Sequence, residues 1–144
     1  MMDKKAFTLM ELITVTIIVG VTAAFAIPSY SRAIEKSHSR QVKINLLTIH
    51  AAGEIYKIKN QDYPAGSVYG IDAINSLFNI KISDPYFDYN IGFNTSTYTA
   101  QAHRVGDWRK YYYWEFRSDE PIQNLYPPNP FCQSSKCPHY MATP

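Results

Sequence analysis

Residues 7–27 read FTLMELITVTIIVGVTAAFAI, an almost unbroken apolar run in which Glu11 is the only formal charge. A helix over this run extends roughly 30 Å, which matches the hydrocarbon core of a bilayer. A carboxylate in that core costs several kcal/mol unless a partner neutralises it, and the neighbouring side chains supply none. The run therefore predicts a membrane-crossing helix whose Glu11 needs a partner from elsewhere.

The sequence around Glu11 carries a more specific pattern. Residues 5–12, KAFTLMEL, resemble the processing site of the type IV pilins and the related pseudopilins. In that family a prepilin peptidase removes a short basic leader and N-methylates the new terminal residue, usually Phe, which stands four residues before a Glu. The resemblance implies a cut between Ala6 and Phe7, with Ala6 at a position where the family prefers Gly. The same resemblance aligns Glu11 with the glutamate of the family's processing site.

The implied cut creates a free amine at Phe7, which provides a cation that can pair with Glu11. In a filament of this family, the Glu11 carboxylate of one subunit would pair with the Phe7 amine of a neighbour. Removing one partner of a buried ion pair costs about 3–5 kcal/mol, so such a pair sets the register of assembly. Pilin helices commonly carry a proline near the place of Pro28 and loosen there. Phe7, Glu11 and Pro28 are therefore the predicted assembly residues.

Two other interpretations of the apolar run stay open. A basic start, an apolar stretch and Ala24-Phe25-Ala26 also fit a secretory signal peptide, which would leave a secreted soluble domain beginning at Ile27. The second is a plain single-span anchor. The mature N-terminus separates these interpretations, because a methylated Phe7 supports the pilin interpretation and a start at Ile27 contradicts it.

The length, charge and motifs of the chain restrict the other functions that it can be expected to have. At 144 residues and 16.5 kDa, the chain has room for one modest soluble domain beside the apolar helix. A net charge of +2 is too small to indicate nucleic-acid binding by itself. No nucleophile–base motif, phosphate-binding loop or dinucleotide motif is present, so neither an enzyme nor a cofactor is expected.

A long helix is expected to continue beyond the apolar run. Gly20 and Pro28 are interpreted as flexible points within it, and the alternative is that Pro28 ends it. His38 and His50 are expected to be solvated or at a subunit contact. Between residues 29 and 59 apolar side chains recur at helical spacing. The predicted core stripe consists of Ile34, Val42, Leu46, Ile49, Ala52, Ile55 and Tyr56.

Three runs of alternating polarity predict a sheet. Residues 86–93, 97–104 and 110–117 each place apolar side chains on one face. These are Phe87, Tyr89, Ile91 and Phe93 in the first run, Tyr98, Ala100 and Ala102 in the second, and Tyr112, Trp114 and Phe116 in the third. An antiparallel meander of this kind needs a cover for its apolar face, and the amphipathic helix supplies one. The expected fold class is α+β, the type IV pilin fold, with a long N-terminal helix packed on a three- to four-stranded antiparallel sheet.

The predicted organisation has three parts. A leader occupies residues 1–6, a transmembrane and filament-core helix occupies 7–28, and a globular pilin domain occupies 29–144. That domain is divided into an amphipathic helix (29–59), a loop with a short helix (60–85), the sheet (86–117) and a disulfide tail (118–144). The short helix is expected over residues 73–78, with Asp72 as its cap.

The tail is rich in proline and is expected to be loop-like. Cys132 and Cys137 lie close together in a chain whose bulk is predicted to be outside the cytoplasm, which favours a disulfide between them. Together with His139 they offer too few ligands for a structural metal site, and no metal is expected. Asp119 and Glu120 fall where major pseudopilins often bind calcium, but no fuller set of oxygen ligands accompanies them.

A basic and aromatic cluster lies at the predicted hairpin between the last two strands. It consists of Arg104, Trp108, Arg109 and Lys110. Such side chains can hold DNA through phosphate contacts and base stacking, and some pilin relatives take part in DNA uptake. An ordinary exposed hairpin is the favoured explanation, so nucleic acid stays an open partner.

The predicted function is structural. The favoured form is a subunit of a type IV pilus, and the alternatives are a pseudopilin of a type II secretion system and a minor pilin acting as a DNA-uptake receptor. Predicted partners are further copies and other pilins in a helical filament, the prepilin peptidase, an inner-membrane platform protein and an assembly ATPase. The predicted location is the bacterial inner membrane before assembly, with the globular domain outside the cytoplasm. A surface pilus or a periplasmic pseudopilus follows assembly.

Overall fold

The computed structural model describes residues 8–94, 96–106, 112–120, 129–133 and 137. In this part of the chain two helices and five strands follow one another. They are α1 (Leu9–Asn60), β1 (Ser67–Tyr69), α2 (Ile71–Phe78), β2 (Phe87–Phe93), β3 (Tyr98–Arg104), β4 (Tyr113–Arg117) and β5 (Phe131–Gln133). The chain forms two compact units, residues 1–37 and residues 38–144.

The described part of the first unit is the beginning of α1. The helix continues through Pro28, so Pro28 does not end it, although its missing N–H removes one helical hydrogen bond. An 18-residue stretch of α1 near the N-terminus is long and apolar enough to cross a membrane, and none of it is buried. These properties fit a membrane anchor, and a signal sequence meets the same criteria.

The second unit contains one antiparallel sheet with the strand order β1-β2-β3-β4-β5. Each strand pairs with the next along the chain, so that Ile91 lies opposite Ala100 and Ala100 lies opposite Phe116. The predicted α+β pilin-like fold is confirmed, with five strands instead of three or four. The two extra strands, β1 and β5, are three-residue edge strands in segments predicted to be loops.

The core of the second unit lies between α1 and the sheet. Val42, Leu46 and Ile49 on α1 are fully buried in one cluster with the inner face of the sheet. From the three central strands this cluster includes Phe87, Tyr89, Ile91, Tyr98, Ala100, Ala102, Trp114 and Phe116. The predicted inward positions of the strands are therefore confirmed, except that Phe93 is only partly buried.

Three residues of the predicted core stripe are not in the core. Tyr56 is half-buried, and the centre of its ring lies 5.9 Å from that of Phe78. Ile34 belongs to the first unit and is 38% exposed, and Ile55 in the second unit is 54% exposed. On α1 the position near Ile55 that faces β3 is taken by Gly53, where an added Cβ would lie 3.4 Å from the Tyr98 hydroxyl. The stripe is thus narrower than predicted, and beside Gly53 the side of α1 that faces β3 is covered by the ring of Tyr98.

Polar contacts fix the rotation of α1 on the sheet. The buried side chain of Asn45 donates to the Tyr89 hydroxyl at 2.9 Å, and that hydroxyl donates to Oδ2 of Asp84 at 2.7 Å. Burial raises the pKa of Tyr89, so the hydroxyl stays protonated and able to donate. The amine of Lys43 lies 4.7 Å from the centre of the Trp114 ring. These contacts join α1 to β2 and β4 in a single orientation.

The short helix α2 begins and ends on special backbone conformations. Gly70 precedes it with φ 85°, and Asn79 follows it in the left-handed region with φ 53°. Glycine meets no steric penalty at such an angle. The predicted cap by Asp72 is wrong, because the helix begins at Ile71 and no side chain caps it.

Candidate assembly site

The first turn of α1 contains a reciprocal pair of hydrogen bonds between Thr8 and Glu11. The backbone N–H and the hydroxyl of Thr8 donate to Oε2 of Glu11 at 2.9 and 2.8 Å. The backbone N–H of Glu11 donates to the Thr8 hydroxyl oxygen at 3.2 Å. This is a capping box, in which a threonine before the helix and a glutamate three residues later satisfy each other's N–H groups. In the single chain, Glu11 stabilises its own helix end.

Thr8 is a hydrogen-bonding partner of Glu11 that the sequence analysis did not identify, although it does not neutralise the charge of Glu11. The signal in the sequence is the spacing Thr-x-x-Glu before an apolar run. A hydrogen-bonded carboxylate keeps its charge, so it still needs a cation once the segment is in an apolar environment. Ala6 and Phe7 lie outside the described residues, and the pairing of Glu11 with a Phe7 amine stays a prediction.

Three threonines in the apolar run use their hydroxyls within the helix. Thr14 and Thr16 donate to backbone carbonyls about one turn earlier, at 2.7 and 2.8 Å. Thr22 donates to two such carbonyls, at 2.8 and 3.0 Å. Because these hydroxyls are satisfied inside the helix, they require neither water nor a polar neighbour. The surface of this segment is therefore effectively apolar.

His50, in the part of α1 that belongs to the second unit, contacts the sheet and is not free in solvent. Its Nδ1 lies 2.7 Å from the Tyr98 hydroxyl, and its ring centre lies 4.6 Å from that of Phe116. Burial lowers the pKa of His50, and the carboxylate of Glu54 at 3.8 Å partly opposes this shift. The prediction of a solvated His50 is therefore wrong. The hydrogen bond between the His50 ring and the Tyr98 hydroxyl helps to attach α1 to β3.

Comparison with known proteins finds relatives that share one name, type II secretion system core protein G. Type II secretion system core protein G of Klebsiella pneumoniae is 32% identical over 76 residues, which are 53% of this chain and 54% of the relative. The protein of the same name from Vibrio cholerae is 28% identical over 74 residues, 51% of this chain and 50% of the relative. That from Escherichia coli K12 is 30% identical over 61 residues, 42% of each chain.

This similarity is consistent with the pilin and pseudopilin family, whose processing site residues 5–12 resemble. The chain spans about half the length of the curated relatives it matches. No protein-family model matches it, and no solved structure does. The names of the relatives favour the pseudopilin alternative over the type IV pilus that was favoured from the sequence.

The described C-terminal part of the chain is attached to β4 by a buried asparagine. Asn129 is 2% exposed. Its amide donates to the backbone carbonyls of Arg117 and Glu120 at 2.8 and 2.9 Å, and it accepts from the Arg117 N–H at 3.2 Å. Cys132 and Cys137 are joined by a disulfide, and both half-cystines pack against the core cluster. The tail therefore adds β5 and a small closed loop to the sheet.

The carboxylates of this region are engaged by an arginine. Nε of Arg117 lies 2.7 Å from Oε1 of Glu115, and Nη1 of Arg117 lies 3.1 Å from Oε1 of Glu120. The hydrogen bond to Glu115 is the main cause that raises the pKa of Arg117. Among the residues that the structure describes, no group of three His, Cys, Asp or Glu could hold a metal ion. The Glu120 carboxylate, considered from the sequence as a calcium ligand, binds the guanidinium instead.

One member of the predicted DNA-contact cluster can be located. Arg104 donates to the backbone carbonyls of Tyr86 and Val105 at 2.9 and 3.3 Å, and its guanidinium lies 5.3 Å from the centre of the Tyr86 ring. The other three residues, Trp108, Arg109 and Lys110, lie outside the described part of the chain. The contacts of Arg104 attach the end of β3 to the start of β2, a structural role that needs no nucleic acid.

Proposed function

We propose that this chain is a pseudopilin, a structural subunit that a type II secretion machinery assembles from the membrane into a filament. The observation that carries the proposal is the similarity to proteins named type II secretion system core protein G. The apolar first part of α1, with Glu11 at its start, is what such a subunit needs for storage in a bilayer and for packing with its copies.

The residues have separate roles in this proposal. A prepilin peptidase cuts between Ala6 and Phe7 and methylates the new amine. In the stored subunit Glu11 keeps its bonds to Thr8, and during assembly its charge pairs with the Phe7 amine of a neighbour. The proposed partners are further copies, other pseudopilins, a platform protein of the inner membrane and an assembly ATPase. The globular domain lies outside the cytoplasm.

The charge of Glu11 and its capping role can be separated by substitution. Glutamine also forms a capping box at this position, so Glu11→Gln keeps the bonds to Thr8 and loses the charge. Glu11→Ala loses both. We expect both variants to insert in the membrane and neither to assemble, as measured by sedimentation of sheared filaments and by membrane fractionation. Normal assembly of Glu11→Gln would exclude the proposed ion pair.

Enzyme secretion and surface pili can be measured separately, and together they distinguish a type II secretion pseudopilin from a type IV pilin. Deleting the gene in its own host should abolish the release of secreted enzymes into the medium and leave surface pili unchanged in electron micrographs. Restoring the wild-type chain should restore release, whereas restoring Glu11→Gln should not. Loss of surface pili with normal enzyme release would instead assign the chain to a type IV pilus.

A further inference from the structure

The outer face of the sheet, opposite the core, carries a continuous groove. Two clefts of about 470 and 230 Å³ meet there, and the same two side chains, Tyr69 and Asn90, line both of them. The groove follows β2 from Asp88 to Gly92, a distance of about 14 Å for an extended strand. A concave surface of this kind is where proteins usually bind ligands. This outer groove is lined by Tyr69, Asp88, Asn90, Gly92, Gln101 and His103.

Flat side chains form both walls of the outer groove. On the β1 side stands Tyr69, which is 73% exposed and lies opposite Asn90. On the β3 side stands His103, which lies opposite Asp88 and is stacked on Tyr113 with ring centres 5.0 Å apart. Because β2 separates β1 from β3, the walls are about 10 Å apart at their bases. A flat molecule between them has room to contact a ring on each side.

The floor of the outer groove offers hydrogen-bonding groups that the protein itself leaves available. The amide of Asn90 is half-buried and makes no hydrogen bond to the residues that the structure describes. The Asp88 side chain is exposed, and its Oδ1 accepts from the Tyr89 N–H at 3.0 Å. A primary amide donates and accepts, a carboxylate accepts, and a ligand hydroxyl does both. The floor therefore suits a ligand with several hydroxyl groups.

The formal charges of the outer groove are few and of opposite sign. Among the described residues that line the two clefts, Asp88 and Arg104 carry them. The guanidinium of Arg104 already donates to the carbonyls of Tyr86 and Val105. Burial lowers the pKa of His103, and the Asp88 carboxylate partly opposes this shift, so the imidazole is mainly neutral at pH 7. A groove without a net positive charge does not attract phosphates or acidic polysaccharides.

We propose that the outer groove binds a neutral, β-linked oligosaccharide of gluco configuration. The hydroxyls of such a sugar ring are equatorial, so that both of its faces carry C–H groups, which pack on aromatic side chains such as Tyr69. Its chain is a straight ribbon, which matches a groove along one strand, and its edges present hydroxyls to Asp88 and Asn90. Cello-oligosaccharides and chito-oligosaccharides share this chemistry and differ in an N-acetyl group. The inference goes beyond the proposed function and does not depend on filament assembly.

An extended peptide is the main competing ligand, and the position of the groove disfavours it. Peptides that bind to sheets pair through their main chain with an open edge strand. The floor strand β2 is paired with β1 on one side and with β3 on the other, so its backbone groups are already used. A ligand of the outer groove has to bind through side chains, as sugars do.

Titration calorimetry of the detergent-solubilised full-length chain tests the inference, with cellotetraose and chitotetraose as separate probes. The wild type should bind at least one of them with a dissociation constant of about 1 mM or lower, and the stronger probe shows whether the N-acetyl group contributes. Tyr69→Ala and Asn90→Ala should each weaken binding about tenfold, the effect of losing a ring contact or a hydrogen-bonding group. Tyr30→Ala is the matched control, because Tyr30 is 69% exposed on α1, and it should bind as the wild type does.

Gly92→Leu provides a second kind of variant, because it fills the groove instead of removing a contact. A Cβ added at Gly92 would lie 3.9 Å from the Ser67 hydroxyl oxygen, an ordinary contact, so β2 has room for a side chain there. Gly92→Leu should abolish binding and keep the wild-type unfolding midpoint. If that midpoint falls, the Tyr69→Ala and Asn90→Ala titrations decide.

Three results would overturn the proposal. The first is that the wild type binds neither tetrasaccharide. The second is that the wild type, Tyr69→Ala and Asn90→Ala bind equally well, which would place the sugar outside the outer groove. The third is that heparin or reduced casein binds in place of the tetrasaccharides, which would make the groove a site for anions or for peptides. The proposed function stands in each case, since filament assembly is measured separately.

Discussion

The hydroxyl of Thr8 and the carboxylate of Glu11 are 2.8 Å apart across the first turn of α1, and each satisfies the other's backbone N–H. Thr8→Val removes the hydroxyl and keeps the charge of Glu11. Losing an N-cap costs about 1 kcal/mol, so the amide hydrogens of Glu11 and Leu12, which donate to the hydroxyl and the carbonyl of Thr8, should exchange about fivefold faster in detergent. Filaments should still form. Unchanged exchange would contradict the capping role, and loss of filaments would show that Thr8 itself takes part in docking.

The core face and the exposed face of α1 should respond differently to the same substitution. Ile49 is fully buried and Ile55 is 54% exposed, although both are isoleucines on one helix. Ile49→Ala should lower the free energy of unfolding by about 2–5 kcal/mol, because it leaves a cavity against the sheet. Ile55→Ala should change it by less than about 0.5 kcal/mol. Chemical denaturation of the solubilised full-length chain measures both, and equal effects would contradict the assignment of the two faces.

Asn129 should stabilise the C-terminal part of the chain. Asn129→Ala leaves the backbone carbonyls of Arg117 and Glu120 without their donor, which costs about 1–3 kcal/mol for buried groups. Asn90→Ala is the matched control, because Asn90 is half-buried on the outer face of the sheet. We expect faster amide exchange in β4 and β5 for the Asn129 variant only. The same exchange rates in both variants would exclude the proposed attachment.

The free energy of unfolding should fall in weak acid because of two half-buried imidazoles, those of His50 and His103. Burial lowers the pKa of His50 and of His103 below the usual value near 6.5. The unfolded chain therefore binds these protons first. Their contribution to stability is complete above about pH 6.5 and is lost as the pH falls through the lower pKa values of the folded state. The unfolding midpoint should decline between pH 7.5 and 5.5, and less steeply in a His50→Gln, His103→Gln double variant. If the unfolding midpoints of the wild type and the double variant decline equally with pH, the two histidines do not cause the decline.

Much of the sheet could be predicted because each central strand shows a strict two-residue alternation. Tyr98, Ala100 and Ala102 were assigned to one face from spacing alone, and all three are buried. The edge strands β1 and β5 could not be predicted in this way. Each has three residues, too few for alternation to be visible, and they lie among glycines and prolines that are typical of loops.

The helix was harder to interpret because apolar residues at helical spacing occur both in the core and on its exposed side. Ile34 and Ile55 follow helical spacing, and spacing does not distinguish a residue that packs on the sheet from one that points away. The bonds of His50 and Asn45 to tyrosines 48 and 44 residues later depend on tertiary contact, which no local pattern reveals. The Thr8–Glu11 pair, by contrast, is local and is visible in the sequence.

The satisfied hydroxyls of Thr14, Thr16 and Thr22 determine how α1 responds to a change of surroundings. The surface of a helix without a free polar group has nearly the same solvation free energy among lipid tails as among aliphatic side chains. Moving the apolar part of α1 between a bilayer and a bundle of similar helices therefore changes the free energy little along most of its length. The remaining difference in free energy comes mainly from the region around Glu11. A filament built from such helices could shorten as readily as it grows, with its subunits returning intact to the bilayer.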